Sequence, residues 1–159
     1  MLYRAFSCAG AICGYRGQST ESRAWFQRAE DLTGTLASRD KALFQMAMMA
    51  DVHLHHGRRA EAAALVGPPP SMFRSRWGGW YAAVRAEARG GAAIEEAEAA
   101  LGGSRYCRGV LERTRGNLEK AFALFQECGA EYQAARTALQ MGGPMRKQAA
   151  VTYTKLGLG

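Results

Sequence analysis

One set of residue spacings occurs twice in this chain, and it constrains the fold more than any other feature. Both copies place glycines, small residues and a phenylalanine at intervals of three, four, five, four and three residues. The two copies are Gly10, Cys13, Gly17, Ser22, Phe26, Ala29 and Gly109, Glu112, Gly116, Ala121, Phe125, Cys128. Two weaker copies, the second with two extra residues in its turn, are Ala50, His53, Gly57, Ala62, Val66 and Ala83, Ala86, Gly90, Ala97, Leu101. A spacing that recurs in this way predicts a repeated structural unit.

The segments between the glycines have helical periodicity. In 117–128 the apolar residues recur at steps of three and four, which places them on one face of a helix. The same reasoning predicts further helices at 20–34, 38–56, 58–66, 77–89, 92–101, 104–115, 131–141 and 145–156. Glycine adopts left-handed backbone angles without strain, so the glycines between these segments predict tight turns. No segment has the pattern of a β-strand, and the predicted fold class is all-α.

The residue types of the copies suit antiparallel helical hairpins. Small residues let two helices approach closely, and the phenylalanine fills the groove toward the next hairpin. Because one hairpin cannot bury its apolar face alone, we expect the hairpins to stack into a short right-handed solenoid. The sequence predicts one domain, 1–159, of about four helix pairs and a closing helix. The proline-rich segment 67–79 interrupts the alternation of helices and turn glycines, and it is expected to form either a hinge or a loop over the surface.

These residues resemble the tetratricopeptide repeat (TPR). Its hallmark is a small residue and an aromatic on a first helix, a turn glycine, then an alanine, phenylalanine and alanine on a second. This chain departs from the pattern, because its turn glycines lie 40, 33 and 26 residues apart. The first-helix aromatic is also replaced in every copy, by Cys13, His53, Ala86 and Glu112. The resemblance therefore implies a degenerate TPR-like array.

A second resemblance concerns the end of the chain. Residues 129–143, GAEYQAARTALQMGG, and the basic helix that follows them resemble the last repeats of bacterial signalling ATPases and LuxR-type transcription regulators. In those proteins the repeats follow a nucleotide-binding domain and sense ligands or partners. This sequence has no GxxxxGK[ST] loop. The resemblance thus implies a sensor part without the nucleotide-binding module, tied to transcriptional or signalling regulation.

The register of the repeat predicts which first-helix residues form the concave surface. They combine arginine with aromatic residues, the composition of interface hot spots. Such a surface suits an acidic or C-terminal peptide held by charge-assisted hydrogen bonds. The leading hypothesis is a non-catalytic scaffold or sensor module that binds a protein or peptide. The predicted residues are Arg4, Tyr15, Phe44, Asp51, His55, Trp77, Trp80, Glu87, Tyr106 and Arg113.

The net charge of +7 leaves an alternative open. The run from Arg105 to Arg115 could bind nucleic acid through contacts with backbone phosphates, which predicts strong salt dependence. The excess of arginine is equally what a G+C-rich genome produces whatever the function. No base-reading element accompanies the charge, so protein or peptide binding remains the preferred hypothesis.

No constellation typical of an enzyme is present. Asp51 and His55 share a helical face that could ligate metal, but a third ligand is not evident. Neither Cys8 nor Cys13 lies in a known nucleophile context. We therefore expect no catalysis, no cofactor and no metal.

The cysteines and the hydropathy bear on location. The four cysteines lack CxxC and zinc spacings, which favours reduced core cysteines in a cytoplasmic protein. No window approaches ~18 uninterrupted apolar residues, so no membrane span is expected. A homodimer through the terminal helices is an open alternative for the oligomeric state.

Overall fold

A computed structural model describes residues 2–34, 39–68 and 78–158 of the chain. These residues form ten helices and contain no strand, which confirms the all-α prediction for them. From residue 20 onward, every helix begins and ends within two residues of its predicted bounds. The helices are α1 (Leu2–Tyr15), α2 (Ser19–Gly34), α3 (Arg39–His55), α4 (Arg59–Leu65), α5 (Gly78–Arg89), α6 (Ala92–Ala100), α7 (Arg105–Thr114), α8 (Leu118–Glu127), α9 (Glu131–Met141) and α10 (Gly143–Leu156).

The chain divides into two compact units, Met1–Trp77 and Gly78–Gly159. Unit 1 contains α1 to α4, and unit 2 contains α5 to α10. The boundary between the units lies inside the segment 67–79, which the sequence singled out as a hinge or surface loop. Residues 69–77 of that segment lie outside the described residues.

The first helices of the two units begin with the same pairing. In unit 1, α1 packs against α2 and α3, and α3 packs against α4. In unit 2, α5 packs against α6 and α7, α7 against α8, α8 against α9, and α9 against α10. Thus α1 contacts its partner α2 and the next first helix α3, and α5 contacts α6 and α7 in the same way, whereas α9 packs against α8.

Four of the glycine turns have one hydrogen-bonding pattern. The φ angles of Gly17, Gly57, Gly116 and Gly129 lie between 69° and 82°. At Gly116 the glycine N–H donates to the carbonyl of Arg113 at 3.0 Å, and the next N–H donates to the carbonyl of Glu112 at 2.9 Å. The other three turns repeat these two bonds at 2.9 to 3.1 Å. The turns close the preceding helices with the Schellman motif, which requires a left-handed residue after the helix.

The first small residue and the phenylalanine of each full copy lie in direct contact. A Cβ added at Gly10 on α1 would lie 3.1 Å from the ring of Phe26 on α2. A Cβ added at Gly109 on α7 would lie only 2.7 Å from Cε1 of Phe125 on α8. Both rings are buried in the core of their unit. The glycine therefore permits the close approach that lets the phenylalanine pack.

The structure places the cysteines in different environments. Cys107 is buried, but Cys8 and Cys128 are exposed, so the prediction of four core cysteines is wrong for these two. Their positions among small residues fit a helix surface as well as a core, and spacing does not separate the two environments.

In the described part of the chain, no helix combines the length and apolar character needed to cross a membrane.

Candidate partner-binding surface

Nine of the ten predicted surface residues are described by the structure, and they lie on the first helices of both units. Trp77 lies outside the described residues. The structure buries three of the others, Phe44, Asp51 and Arg113. The remaining six are partly exposed, namely Arg4, Tyr15, His55, Trp80, Glu87 and Tyr106.

In unit 2, two predicted residues form a buried ion pair between neighbouring first helices. Arg113 on α7 holds Glu87 on α5 with two parallel hydrogen bonds, from Nη2 to Oε2 at 2.9 Å and from Nε to Oε1 at 3.2 Å. The side chain of Arg113 is 1% exposed and that of Glu87 is 11% exposed. A bidentate guanidinium–carboxylate pair fixes both the distance and the orientation of its partners. This pair therefore fixes α5 relative to α7.

The network extends to α9 through residues that the sequence reasoning missed. Arg136 donates from Nη2 to Oε1 of Glu87 at 2.9 Å, so two guanidiniums share one carboxylate. Gln133 accepts from Nη1 of Arg113 at 2.6 Å and donates to the hydroxyl of Tyr106 at 3.0 Å. The three first helices α5, α7 and α9 are thus joined by side-chain hydrogen bonds.

A local signal for the missed residues exists in the sequence. Gln133, Arg136 and Thr137 occur at three- and four-residue steps among alanines, which puts them on one face of α9. Thr137 lies 3.4 Å from Nη1 of Arg113 and is fully buried. A polar stripe on an alanine-rich helix predicts either a solvated face or a buried network. The repeat register assigns no residue to α9, so it does not distinguish a solvated face from a buried network there.

In unit 1, the predicted residues form a smaller cluster. The hydroxyl of Tyr15 on α1 donates to Oδ2 of Asp51 on α3 at 2.7 Å. The rings of Tyr15 and His55 meet edge to face, with centroids 5.4 Å apart. His56, next along the chain, lies 2.7 Å from the carbonyl oxygen of Gly14 through Nε2. The first helices of unit 1 are therefore also linked by polar side chains, but without a buried ion pair among these contacts.

The structure also bears on the metal alternative. Asp51 is 3% exposed and accepts the hydrogen bond from Tyr15. Over residues 2–34, 39–68 and 78–158, no group of three or more histidine, cysteine, aspartate or glutamate side chains is close enough to hold a metal ion. In the structure, Asp51 accepts a hydrogen bond from Tyr15, and the ring of His55 packs against the ring of Tyr15.

Most of the basic run from Arg105 to Arg115, in α7 and at its end, is engaged in ion pairs. Arg105 lies 3.5 Å from Glu127, Arg113 pairs with Glu87, and Arg115 forms a short contact with Glu98. The hydrogen bond from Arg115 lowers the pKa of the Glu98 carboxyl. Three of the four arginines between 105 and 115 thus already have carboxylate partners. Phosphate contacts by this run would compete with those pairs.

The first helices therefore carry two polar clusters, one in each unit, built largely from the residues that the repeat register predicted. Comparisons of the chain with protein-family models, with curated proteins and with solved structures give no match. The contacts within the helices are consequently the basis for any functional argument.

Proposed function

We propose that this protein is a non-catalytic scaffold or sensor module in which TPR-like hairpins bind an acidic peptide segment of a partner protein. The observation that carries the proposal is the buried network in which Glu87, Arg113, Gln133 and Arg136 join α5, α7 and α9. A surface held in this way before binding loses little conformational freedom when a partner docks.

The repeated contacts support the TPR-like arrangement within each unit. Gly10 meets Phe26 in unit 1 as Gly109 meets Phe125 in unit 2. The Schellman turn recurs at Gly17 and Gly116, at the same place in each copy. Equal spacing thus brings corresponding residues into contact in both units, as in stacked repeats.

The charges support an acidic partner. Arg113 and Arg136 together carry one positive charge more than the carboxylate of Glu87 that they share. The whole chain carries a net charge of +7, which steers acidic partners toward it over long distances. Because Arg113 is buried, it acts as a positioning residue that supports its neighbours.

The direct contacts would come from aromatic residues beside the network. Trp80 and Tyr106 are partly exposed and pack against the core cluster of unit 2. Tyr106 also accepts the hydrogen bond from Gln133, which fixes its hydroxyl. Rigid aromatic side chains next to positive charge are the composition of a hot spot.

The test is binding of short glutamate-rich peptides, compared with glutamine analogues of the same length. We expect the protein to retain the acidic peptides, and we expect Trp80→Ala to weaken binding by about thirtyfold, the size of a hot-spot effect. Val151→Ala is the matched control, since that side chain is 70% exposed on α10. Equal binding of acidic and neutral peptides, or equal loss in both variants, would contradict the proposal.

A further inference from the structure

Unit 1 contains a cleft of about 540 Å³ between α2 and α3. On the α2 side it is lined by Ser19, Arg23 and Glu30, and on the α3 side by Gln45, Met49 and His53. The volume lies within the range of pockets that hold small molecules. The polar clusters described above do not account for this cleft.

Two contacts show that α2 and α3 run antiparallel along the cleft. The amide of Gln45 donates to the carbonyl oxygen of Phe26 at 2.9 Å. Further along, Ser22 and Val52 both come within 3.0 Å of a Cβ added at Gly14. Positions therefore rise along α3 as they fall along α2. Glu30 consequently lies toward the Gln45 end, while Ser19 lies toward the His53 end.

At the Gln45 end, one buried acceptor atom has no hydrogen-bond donor among the described residues. Gln45 is 7% exposed, and its Oε1 is buried without a partner. Because its amide N–H group is engaged with Phe26, the free atom is the oxygen, which can only accept. A buried acceptor without a donor is unfavourable. With the carboxylate of Glu30 on the same side, this end suits an ammonium group.

The opposite end is rich in donors and positive charge. Arg23 and Arg58 line it, and the N-terminus of α2 begins there at Ser19. The Nδ1 atom of His53 is buried without a partner. Burial, with a smaller contribution from the Arg58 cation, lowers the pKa of His53, so the neutral ring carries one N–H, and the tautomer protonated at Nδ1 makes this atom a donor. This end suits a carboxylate.

We propose that the cleft binds a small zwitterion, with its ammonium at Gln45 and its carboxylate toward His53, Arg23 and Arg58. Gln45 and His53 are eight residues apart on one helix, which at 1.5 Å per residue is about 12 Å. An extended peptide of about three or four residues has this length. The ligand class is therefore a short peptide with both ends free, and the inference does not depend on the proposed function of unit 2.

The first test is calorimetric titration of the full chain with tetraalanine. The matched probes are N-acetyl-tetraalanine, which lacks the ammonium, and tetraalanine amide, which lacks the carboxylate. We expect saturable binding of the free peptide, and binding about tenfold weaker for each capped form, because a charge-assisted hydrogen bond is lost. Absence of saturable binding up to about 10 mM would overturn the proposal. Equal binding of the N-acetyl form would do the same, since it would indicate recognition of a carboxylate end alone.

Variants test the placement of the ligand. The double variant Arg23→Gln, Arg58→Gln changes exposed side chains, so it should fold normally and lose the preference for the free carboxylate. Gln45→Met should lose the preference for the free ammonium, with folding checked by circular dichroism. Arg28→Gln is the control, because Arg28 lies on α2 with its guanidinium 4.8 Å from the Trp25 ring and does not line the cleft. Equal weakening in the control and the double variant would show that net charge, and not the cleft, governs binding.

Discussion

The two full copies of the repeat share their apolar contacts and differ in the polar groups beside them. In both units a glycine on the first helix meets a phenylalanine on the second. In unit 1, Ser22 adds a hydrogen bond of 2.7 Å to the carbonyl of Gly10, at the position that Ala121 occupies in unit 2. Between first helices, unit 1 has a tyrosine–aspartate bond, whereas unit 2 has a buried ion network. The spacing thus specifies the hairpin, and the polar residues distinguish the two units.

The clefts of the two units differ in the polar groups that line them. Unit 2 also has a cleft, of about 430 Å³, between α8, α9 and α10. Its lining combines four alanines and two phenylalanines with the polar side chains Gln126, Glu131, Gln148, Thr152 and Lys155. The cleft of unit 1 has Phe26, Met49 and Val52 in its lining, but its charged side chains include two arginines, Arg23 and Arg58, beside Glu30. Both clefts therefore mix apolar and polar groups, and the second arginine distinguishes the cleft of unit 1.

We expect the largest difference between the units in the free energy of unfolding when the carboxylate of each polar cluster is replaced by an amide. Glu87→Gln leaves two buried guanidiniums without their shared charge and should lower the free energy of unfolding by about 3 kcal/mol. Asp51→Asn keeps an oxygen that can accept from Tyr15 and should cost about 1 kcal/mol. Urea titration followed by circular dichroism measures both. Equal losses would show that the ion network adds nothing beyond an ordinary buried hydrogen bond.

Replacing a turn glycine by alanine should lower the free energy of unfolding by the same amount in the two units. Gly17 has φ of 74° and Gly116 has φ of 82°, and neither has a neighbour within 4 Å of an added Cβ. Alanine at either position would be strained only by its backbone angles, at a cost of about 1–2 kcal/mol. The same urea titration applies to Gly17→Ala and Gly116→Ala. A difference larger than about 1 kcal/mol would mean that the turns are not equivalent.

The helix glycines should differ because their distances differ. An added Cβ would be 2.7 Å from Phe125 at Gly109 but 3.1 Å from Phe26 at Gly10. Overpacking lowers the free energy of unfolding by roughly 1–3 kcal/mol, whereas the higher helix propensity of alanine raises it by about 1 kcal/mol. We expect Gly109→Ala to lower the melting temperature and Gly10→Ala to leave it nearly unchanged. The reverse order would contradict the closer approach of Gly109 to Phe125.

The smallest effect is a pH dependence specific to unit 1. Burial, and then the Arg58 cation, lowers the pKa of His53 below its ordinary value of 6.5. Since the unfolded chain binds this proton more readily, stability should fall as pH drops through 6.5 toward the lowered pKa. His53→Gln should remove this part of the pH profile.

Unit 2 provides the contrast at lower pH. Burial acts to raise the pKa of Glu112, but hydrogen bonds from Asn117 and Lys120 outweigh it and lower the pKa below 4.5. Its contribution to stability is therefore kept until the pH falls below 4.5.

The His53 prediction has its own check. If the His53→Gln variant still lost as much stability between pH 7 and pH 5 as the unmodified protein, a group other than His53 would be responsible.

Much of the secondary structure could be predicted because its signals are local. The apolar steps of 117–128 and the glycine at 129 lie within or next to the helix that they delimit. The observed helix, Leu118–Glu127, differs from the prediction by one residue at each end. Backbone hydrogen bonds in a helix link residues four apart, so a short window of sequence contains the information.

The candidate site was only partly predictable. The register of the repeat placed Glu87 and Arg113 on first helices, and Tyr15 and Asp51 likewise, but it did not pair them. It also omitted Arg136, which shares the carboxylate of Glu87. A register assigns a residue to a face of its own helix, whereas a pair depends on the helix opposite.

The sequence by itself determined the helices, their glycine turns and the small-residue positions where phenylalanine packs. Only the tertiary structure decided that Arg113 and Glu87, 26 residues apart, would form a buried pair, and that Cys8 would be exposed. The tertiary structure also brought Glu30, Gln45 and His53 to one cleft. The physical reason is that contacts between helices depend on their crossing angle and axial register, and these follow from the packing of all side chains together.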